Sequence, residues 1–268
     1  MSRPSGEPRI FTRYVAIGDS FTEGMSDADP ERANRYVGWA DRLAAHLAPM
    51  ASKDNQNFGY ANLAVRGRLL ADIAGRQAEN ALALRPDLVS IVGGGNDILR
   101  PKADIDALAA RLEEAVARLR AGGADVLMAT PTDPRDAPLI RASRGRAATY
   151  TAHIWSIARR HDAYVIDLWG MGALRDWRLW AQDRIHLTSE GHRRVALNAF
   201  SALGFSAEDA GWAIPLPPAP PISRAEAARA NAQWAREYVG PWVRRRLRGQ
   251  SSGDTISAKR PKVTPLED

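Results

Sequence analysis

The 268-residue chain contains no cysteine. That absence excludes disulfides, thiolate metal sites and a cysteine nucleophile together. Histidine is scarce as well. His46, His153, His161, His186 and His192 are the full set, and none has ligand spacing beside paired carboxylates, so no metal and no other cofactor is expected. No apolar run approaches the length of a membrane-spanning helix, and Met1–Arg13 lacks the apolar stretch of a secretory leader, so the expectation is a soluble, cytoplasmic protein. Two motifs are missing where they would count. No Gly-x-Ser-x-Gly stands between a strand and a helix of the pattern, which argues against an ordinary α/β-hydrolase, and no Gly-x-Gly-x-x-Gly follows the first strand, which argues against dinucleotide binding.

Apolar residues make up 45% of the chain and charged residues 25%, enough for a sizeable core in a globular protein. The formal charge of +6 is unevenly spread: Pro241–Asp268 holds seven Lys or Arg against three acids, which leaves only +2 for the first 240 residues. The basic character belongs to the tail and says little about the body.

Short apolar runs alternate with stretches of helical period. Arg13–Ile17, Phe58–Val65, Asp87–Val92, Asp125–Thr130 and Ala163–Leu168 read as strands. Between and after them, Tyr36–Leu47 (stopping at Pro49), Leu69–Leu84, Asp104–Ala121, Leu139–Arg160 and Glu190–Leu203 read as helices, the last with Thr188 or Ser189 as its N-cap. Five strands separated by helices predict a parallel sheet covered on both faces, with ligands beyond the carboxyl ends of its strands. The expected organisation is an N-terminal arm over 1–12, a catalytic domain over 13–206, a connector and basic helix over 207–249, and a disordered tail over 250–268. The connector is marked by five prolines in Pro215–Pro221, and the tail is polar.

Four segments carry the chemistry, each just after a strand. Gly18-Asp19-Ser20-Phe21-Thr22-Glu23-Gly24 sets a serine at the end of strand one, its own N–H beside its Oγ. Asn62–Gly67 follows strand two and Gly94-Gly95-Asn96-Asp97 follows strand three; the Gly67 N–H and the Asn96 amide can point at one oxygen, as stabilising a tetrahedral oxyanion requires. Asp183-Arg184-Ile185-His186 follows strand five, where an Asp three residues before a His can accept the Nδ1 proton and leave Nε2 as a base. Taken singly, each has a plainer reading: a glycine turn with a capping serine, a turn glycine, a capping asparagine, a surface Asp–His pair. His192 is a second candidate base, ranked behind His186 because it falls inside the first turn of the final helix.

In combination and in this order, these blocks resemble the SGNH/GDSL hydrolase family at Gly18-Asp19-Ser20, Gly67, Gly94-Gly95-Asn96-Asp97 and Asp183-Arg184-Ile185-His186, with element order matching over roughly residues 12 to 203. The resemblance implies a flavodoxin-like three-layer α/β/α sandwich with a five-stranded parallel sheet. It also implies a triad of Ser20, Asp183 and His186 and an oxyanion hole of Ser20, Gly67 and Asn96. The first block departs from the family's leucine-bearing form, reading Phe21-Thr22-Glu23-Gly24.

The expected activity is cofactor-independent hydrolysis of a small-molecule carboxylic ester through an acyl-serine. Small acyl esters, lysophospholipids, thioesters and acetylated sugars are all compatible with it. The alternative is a catalytically silent fold used for binding through its basic C-terminus. Trp169, Trp177 and Trp180 precede the Asp183 loop, and Trp177 and Trp180 are candidates for a pocket wall beside Ser20; covering the sheet end is the other reading. Trp234, Tyr238 and Trp242 form a stripe of period four ahead of Arg244-Arg245-Arg246. A helix docked on the catalytic domain is the first reading of it, and contact with anionic membrane or nucleic acid the second.

Overall fold

A computed structural model describes residues 8–32, 35–137, 140–220, 223–240 and 253–266. Its strands are β1 (Arg13–Gly18), β2 (Gly59–Asn62), β3 (Leu88–Val92), β4 (Asp125–Ala129), β5 (Tyr164–Ile166) and β6 (Arg260–Thr264). Its α-helices are α1 (Ser20–Glu23), α2 (Trp39–Lys53), α3 (Leu70–Asp72), α4 (Ala78–Ala83), α5 (Gly95–Ile98), α6 (Ile105–Ala121), α7 (Arg144–His161), α8 (Ser189–Ala202) and α9 (Arg224–Trp234). A π turn at Ile73–Gln77 joins α3 to α4, so the expected Leu69–Leu84 helix is continuous but locally widened.

The sheet runs β5-β4-β3-β1-β2-β6, parallel throughout β1 to β5. Strand periodicity sorts its side chains. Val15, Ile17, Val89, Ile91, Val126 and Met128 pack under α3, α4, α6 and α7, whereas Tyr14, Ala16, Tyr60, Leu88, Leu127 and Ile166 pack under α2 and α8. The result is the expected α/β/α sandwich. Because β1 and β3 are neighbours, the turns after Gly18 and Val92 open at one edge.

Three expectations are corrected. The sheet has six strands, not five, and the sixth comes from the segment read as disordered: Arg260–Thr264 pairs antiparallel with β2. Its sequence, Arg-Pro-Lys-Val-Thr, has the charges and proline of an edge strand and little apolar signal. Finally, α2 continues past Pro49 to Lys53, since a proline near the end of a helix removes one backbone bond without stopping the last turn. Trp242 and Arg244–Arg246 lie outside the described residues.

The C-terminal strand is fastened by Lys259, whose Nζ donates to Glu23 O (2.7 Å), Tyr36 O (2.9 Å) and Asp41 Oδ2 (2.6 Å), filling all three of its donor positions. Asp41 in turn accepts the Gly38 N–H at the start of α2. Lys259→Met strips a partly buried carboxylate of its cation and two carbonyls of their donor, a loss of about 2–4 kcal/mol. Thermal unfolding should therefore fall by roughly 5–10 °C, and an unchanged Tm would contradict this role for Lys259.

Candidate active site

The turn after β1 is shaped by what surrounds Gly18. The Gln77 side chain, from the π turn, accepts the Gly18 N–H (2.9 Å) and donates to Gly18 O (3.0 Å). Asp19 then caps α1 by accepting the Phe21 N–H, so Ser20 is the first helical residue and its N–H has no partner within the helix. After β2, Glu23 accepts the backbone N–H of Arg66 at 2.7 Å and forms an ion pair with its guanidinium. Gly67 follows in the left-handed region at φ 72°, where glycine avoids the strain of a side chain. After β3, Gly94 (φ 99°) is pressed against Tyr150, whose ring carbons lie 2.9 Å from where a Cβ would stand.

Asn96 joins these turns. Its Nδ2 donates to Asp19 Oδ2 (3.2 Å) and to Arg68 O (3.1 Å), linking the Ser20 turn to the Gly67 loop. Its neighbour Asp97 accepts the Leu70 N–H at the start of α3.

The fourth segment is a tight loop closed by one carboxylate. Asp183 Oδ1 accepts the N–H groups of Ile185 and His186, both at 3.0 Å, and Asp183 Oδ2 meets His186 Nδ1 at 2.6 Å. Arg184, at φ 56°, makes the reversal. Burial alone would raise the Asp183 carboxyl; the bond and charge of His186 and the two backbone donors outweigh it and hold the carboxyl below its ordinary value. With Nδ1 engaged, Nε2 is left for other chemistry.

A cavity of about 500 Å³ opens beside the Ser20 and Asn96 turns and the Arg184–Ile185 loop; Gly67, Asp183 and His186 are not among the residues that line it. Ser20, Asn96, Trp177, Trp180, Arg184 and Ile185 line it. Trp177 and Trp180 are among the lining residues, while Trp169 packs against the core. Burial pushes the Asp19 carboxyl up to about 6, against the pull of the Phe21 N–H and the nearby His186.

His192 is not positioned as a base. It is 1% exposed, its Nδ1 accepts the Trp39 N–H (3.2 Å), and burial drives its pKa down to about 4. It pins the first turn of α2 to α8 as a neutral imidazole. Among the described residues, no group of three or more His, Asp or Glu could hold a metal ion, and no helix is long and apolar enough to cross a membrane.

The model of the GDSL-like lipase/acylhydrolase family matches residues 16–194. The chain belongs to that family. The matched span contains all four site segments and ends before the connector, α9 and β6. Solved structures agree in fold. LAE5, an alpha/beta hydrolase enzyme from the metagenome of Lake Arreo, Spain, is 24% identical over 72% of this GDSL family member and 95% of its own chain, with a TM-score of 0.58. An acetylxylan esterase from Geobacillus stearothermophilus is 22% identical over 73% of this chain and 95% of its own, with a TM-score of 0.58. A GDSL-like lipase from Parabacteroides merdae, described as putative, is 19% identical over 74% and 99%, with a TM-score of 0.61. No curated protein matches the sequence.

Sequence reasoning did not find Gln77, Glu23 or Arg66, which hold the turns in place. Glu23 stood in the motif itself, at the point where the family's first block is departed from, and that departure was the available signal.

The Asp19 shift fixes a pH dependence. A carboxyl whose folded pKa is raised to about 6 contributes stability that is fully present below its unfolded pKa of 3.8 and is lost as pH rises through 6. Asp19→Asn carries no such loss. Relative to wild type, the Tm of Asp19→Asn should therefore rise by several degrees between pH 4 and pH 7, corresponding to about 2 kcal/mol. A difference that does not change with pH would contradict the buried, titrating Asp19.

Proposed function

We propose that this family member is a serine ester hydrolase that cleaves a small-molecule carboxylic ester through an acyl-serine intermediate. Ser20 is the nucleophile, His186 the proton carrier and Asp183 the residue that orients it. The observation that carries the reading is the Asp183–His186 bond of 2.6 Å, on a loop whose Arg184 and Ile185 line the same cavity as Ser20 and Asn96. Membership of a lipase/acylhydrolase family and likeness in fold to an acetylxylan esterase support it.

In this mechanism Ser20 Oγ bonds to the acyl carbon while its proton passes to His186 Nε2, and the carbonyl oxygen takes up the electron pair. The N–H groups of Ser20 and Gly67 and the Asn96 amide donate to that oxyanion. Asn96 gives up one of its two internal acceptors, Asp19 Oδ2 or Arg68 O, to do so. When the tetrahedral adduct collapses, the carbon–oxygen bond to the alcohol breaks and the departing oxygen takes the proton from His186. Water then repeats the sequence on the acyl-serine.

Wild-type protein should hydrolyse p-nitrophenyl acetate and butyrate at neutral pH, with the same rate in the presence of a metal chelator. Ser20→Ala and Asp183→Asn should each lower kcat by about 10⁴-fold. Asn96→Ala should lower it by about 10²- to 10³-fold. A Ser20→Ala enzyme as active as wild type would overturn the assignment.

A further inference from the structure

Helix α9 and the π turn at Ala235–Val239 that continues it lie beyond the family-matched region, yet Trp234 and Tyr238 line the cavity. The helix buries none of its residues and touches the body at the loop that carries the Asp–His pair. Trp234 Nε1–H donates to Asp183 O (2.9 Å), Tyr238 O–H donates to Gln182 Oε1 (3.2 Å), and Arg184 Nη1 donates to Asn231 Oδ1 (2.7 Å). The Arg184 guanidinium also stands over two indoles, 5.6 Å from the Trp177 ring and 4.8 Å from the Trp234 ring.

We propose that α9 roofs the leaving-group half of the cavity and selects esters whose alcohol portion is bulky, neutral and ring-bearing. This rests on the serine-hydrolase reading above. In that reaction the departing oxygen must collect its proton from His186, so it faces the His186 loop. Whatever that oxygen carries extends along the wall nearest the loop: Trp177, Trp180, Ile185, Trp234 and Tyr238. The remaining apolar lining, including Ile98, Leu99 and Ala147, is left for the acyl group. The leaving-group wall offers flat aromatic faces. Arg184, which lines the cavity beside these rings, is already engaged by two indoles and has one of its donors held by Asn231, so this wall suits a neutral ring better than a charged headgroup.

The test compares kcat/KM on 2-naphthyl acetate, ethyl acetate and ethyl octanoate for full-length wild type, Trp234→Ala, Trp234→Phe and Ser20→Ala. The loss in Trp234→Ala should be roughly tenfold or more greater on 2-naphthyl acetate than on ethyl acetate. Trp234→Phe, which keeps a ring but loses the N–H to Asp183 O, should retain most of the preference. Equal losses on both acetates would overturn the proposal, because Trp234 would then act only by holding the Asp183 loop. A loss that follows acyl length, greatest on ethyl octanoate, would overturn it by moving α9 to the acyl side, and no loss on any ester would remove α9 from the site. Ser20→Ala separates the two levels. If it keeps the wild-type rates, the serine reading itself fails; if it is inactive while Trp234→Ala shows no selective loss, only the roof fails. Wild type inert toward all three esters would overturn the serine reading on which the roof depends.

Discussion

One carboxylate organises the loop that holds His186. Asp183 accepts three N–H groups within a single reversal of chain, those of Ile185, His186 and the imidazole Nδ1, and so fixes backbone turn, ring orientation and ring tautomer together. The reversal requires Arg184 at positive φ, a conformation that costs a non-glycine residue about 1 kcal/mol or more. The Arg184 side chain is gripped by Trp177, Trp234 and Asn231, contacts that offset this strain. The C-terminal helix is therefore bound to the same loop that holds the Asp183–His186 pair.

The opposite side of the cavity is braced differently. Ser20, Gly67 and Asn96 come from turns after three strands, and each turn is held by a side chain bonded to backbone: Gln77 to Gly18, Glu23 to Arg66, Asn96 to Arg68 and Asp97 to Leu70. In the proposed reaction the backbone donors held this way need little reorganisation, whereas Asn96 must release Asp19 Oδ2 or Arg68 O. Burial also sorts the two histidines near α8. His192 is used up as a neutral link between helices, while His186, paired with a carboxylate next to the cavity-lining Arg184 and Ile185, keeps one nitrogen available.

Much of this was legible in the chain. The five parallel strands were visible because buried strands are short apolar runs bounded by glycine and polar turns, and the site segments because each follows such a run. The Asp183 loop was readable only with the other three segments, since a carboxylate three residues before a histidine can close one turn but singly reads as a surface pair. What escaped the sequence were contacts between residues far apart along it. Lys259 reaches Glu23 from 236 positions away, and Trp234 reaches Asp183 from 51. Lys259 leaves no local pattern, and the period-four stripe of Trp234 and Tyr238 announces a docked helix without naming its partner. β6 escaped for a related reason: an edge strand needs backbone pairing rather than an apolar face, and Arg-Pro-Lys-Val-Thr looks like a polar tail. The widening at Ile73–Gln77 was hidden inside ordinary helical periodicity, although it presents Gln77 to the Gly18 peptide.

The central claim is that Ser20 is the nucleophile activated by His186 and Asp183. The most direct measurement is covalent labelling of the native protein with a fluorophosphonate, followed by mass-spectrometric mapping of the adduct. The account predicts a single adduct at Ser20, much slower to form in His186→Ala. An adduct at another residue, such as the cavity-lining Ser143, or hydrolytic activity that survives full labelling of Ser20, would contradict it.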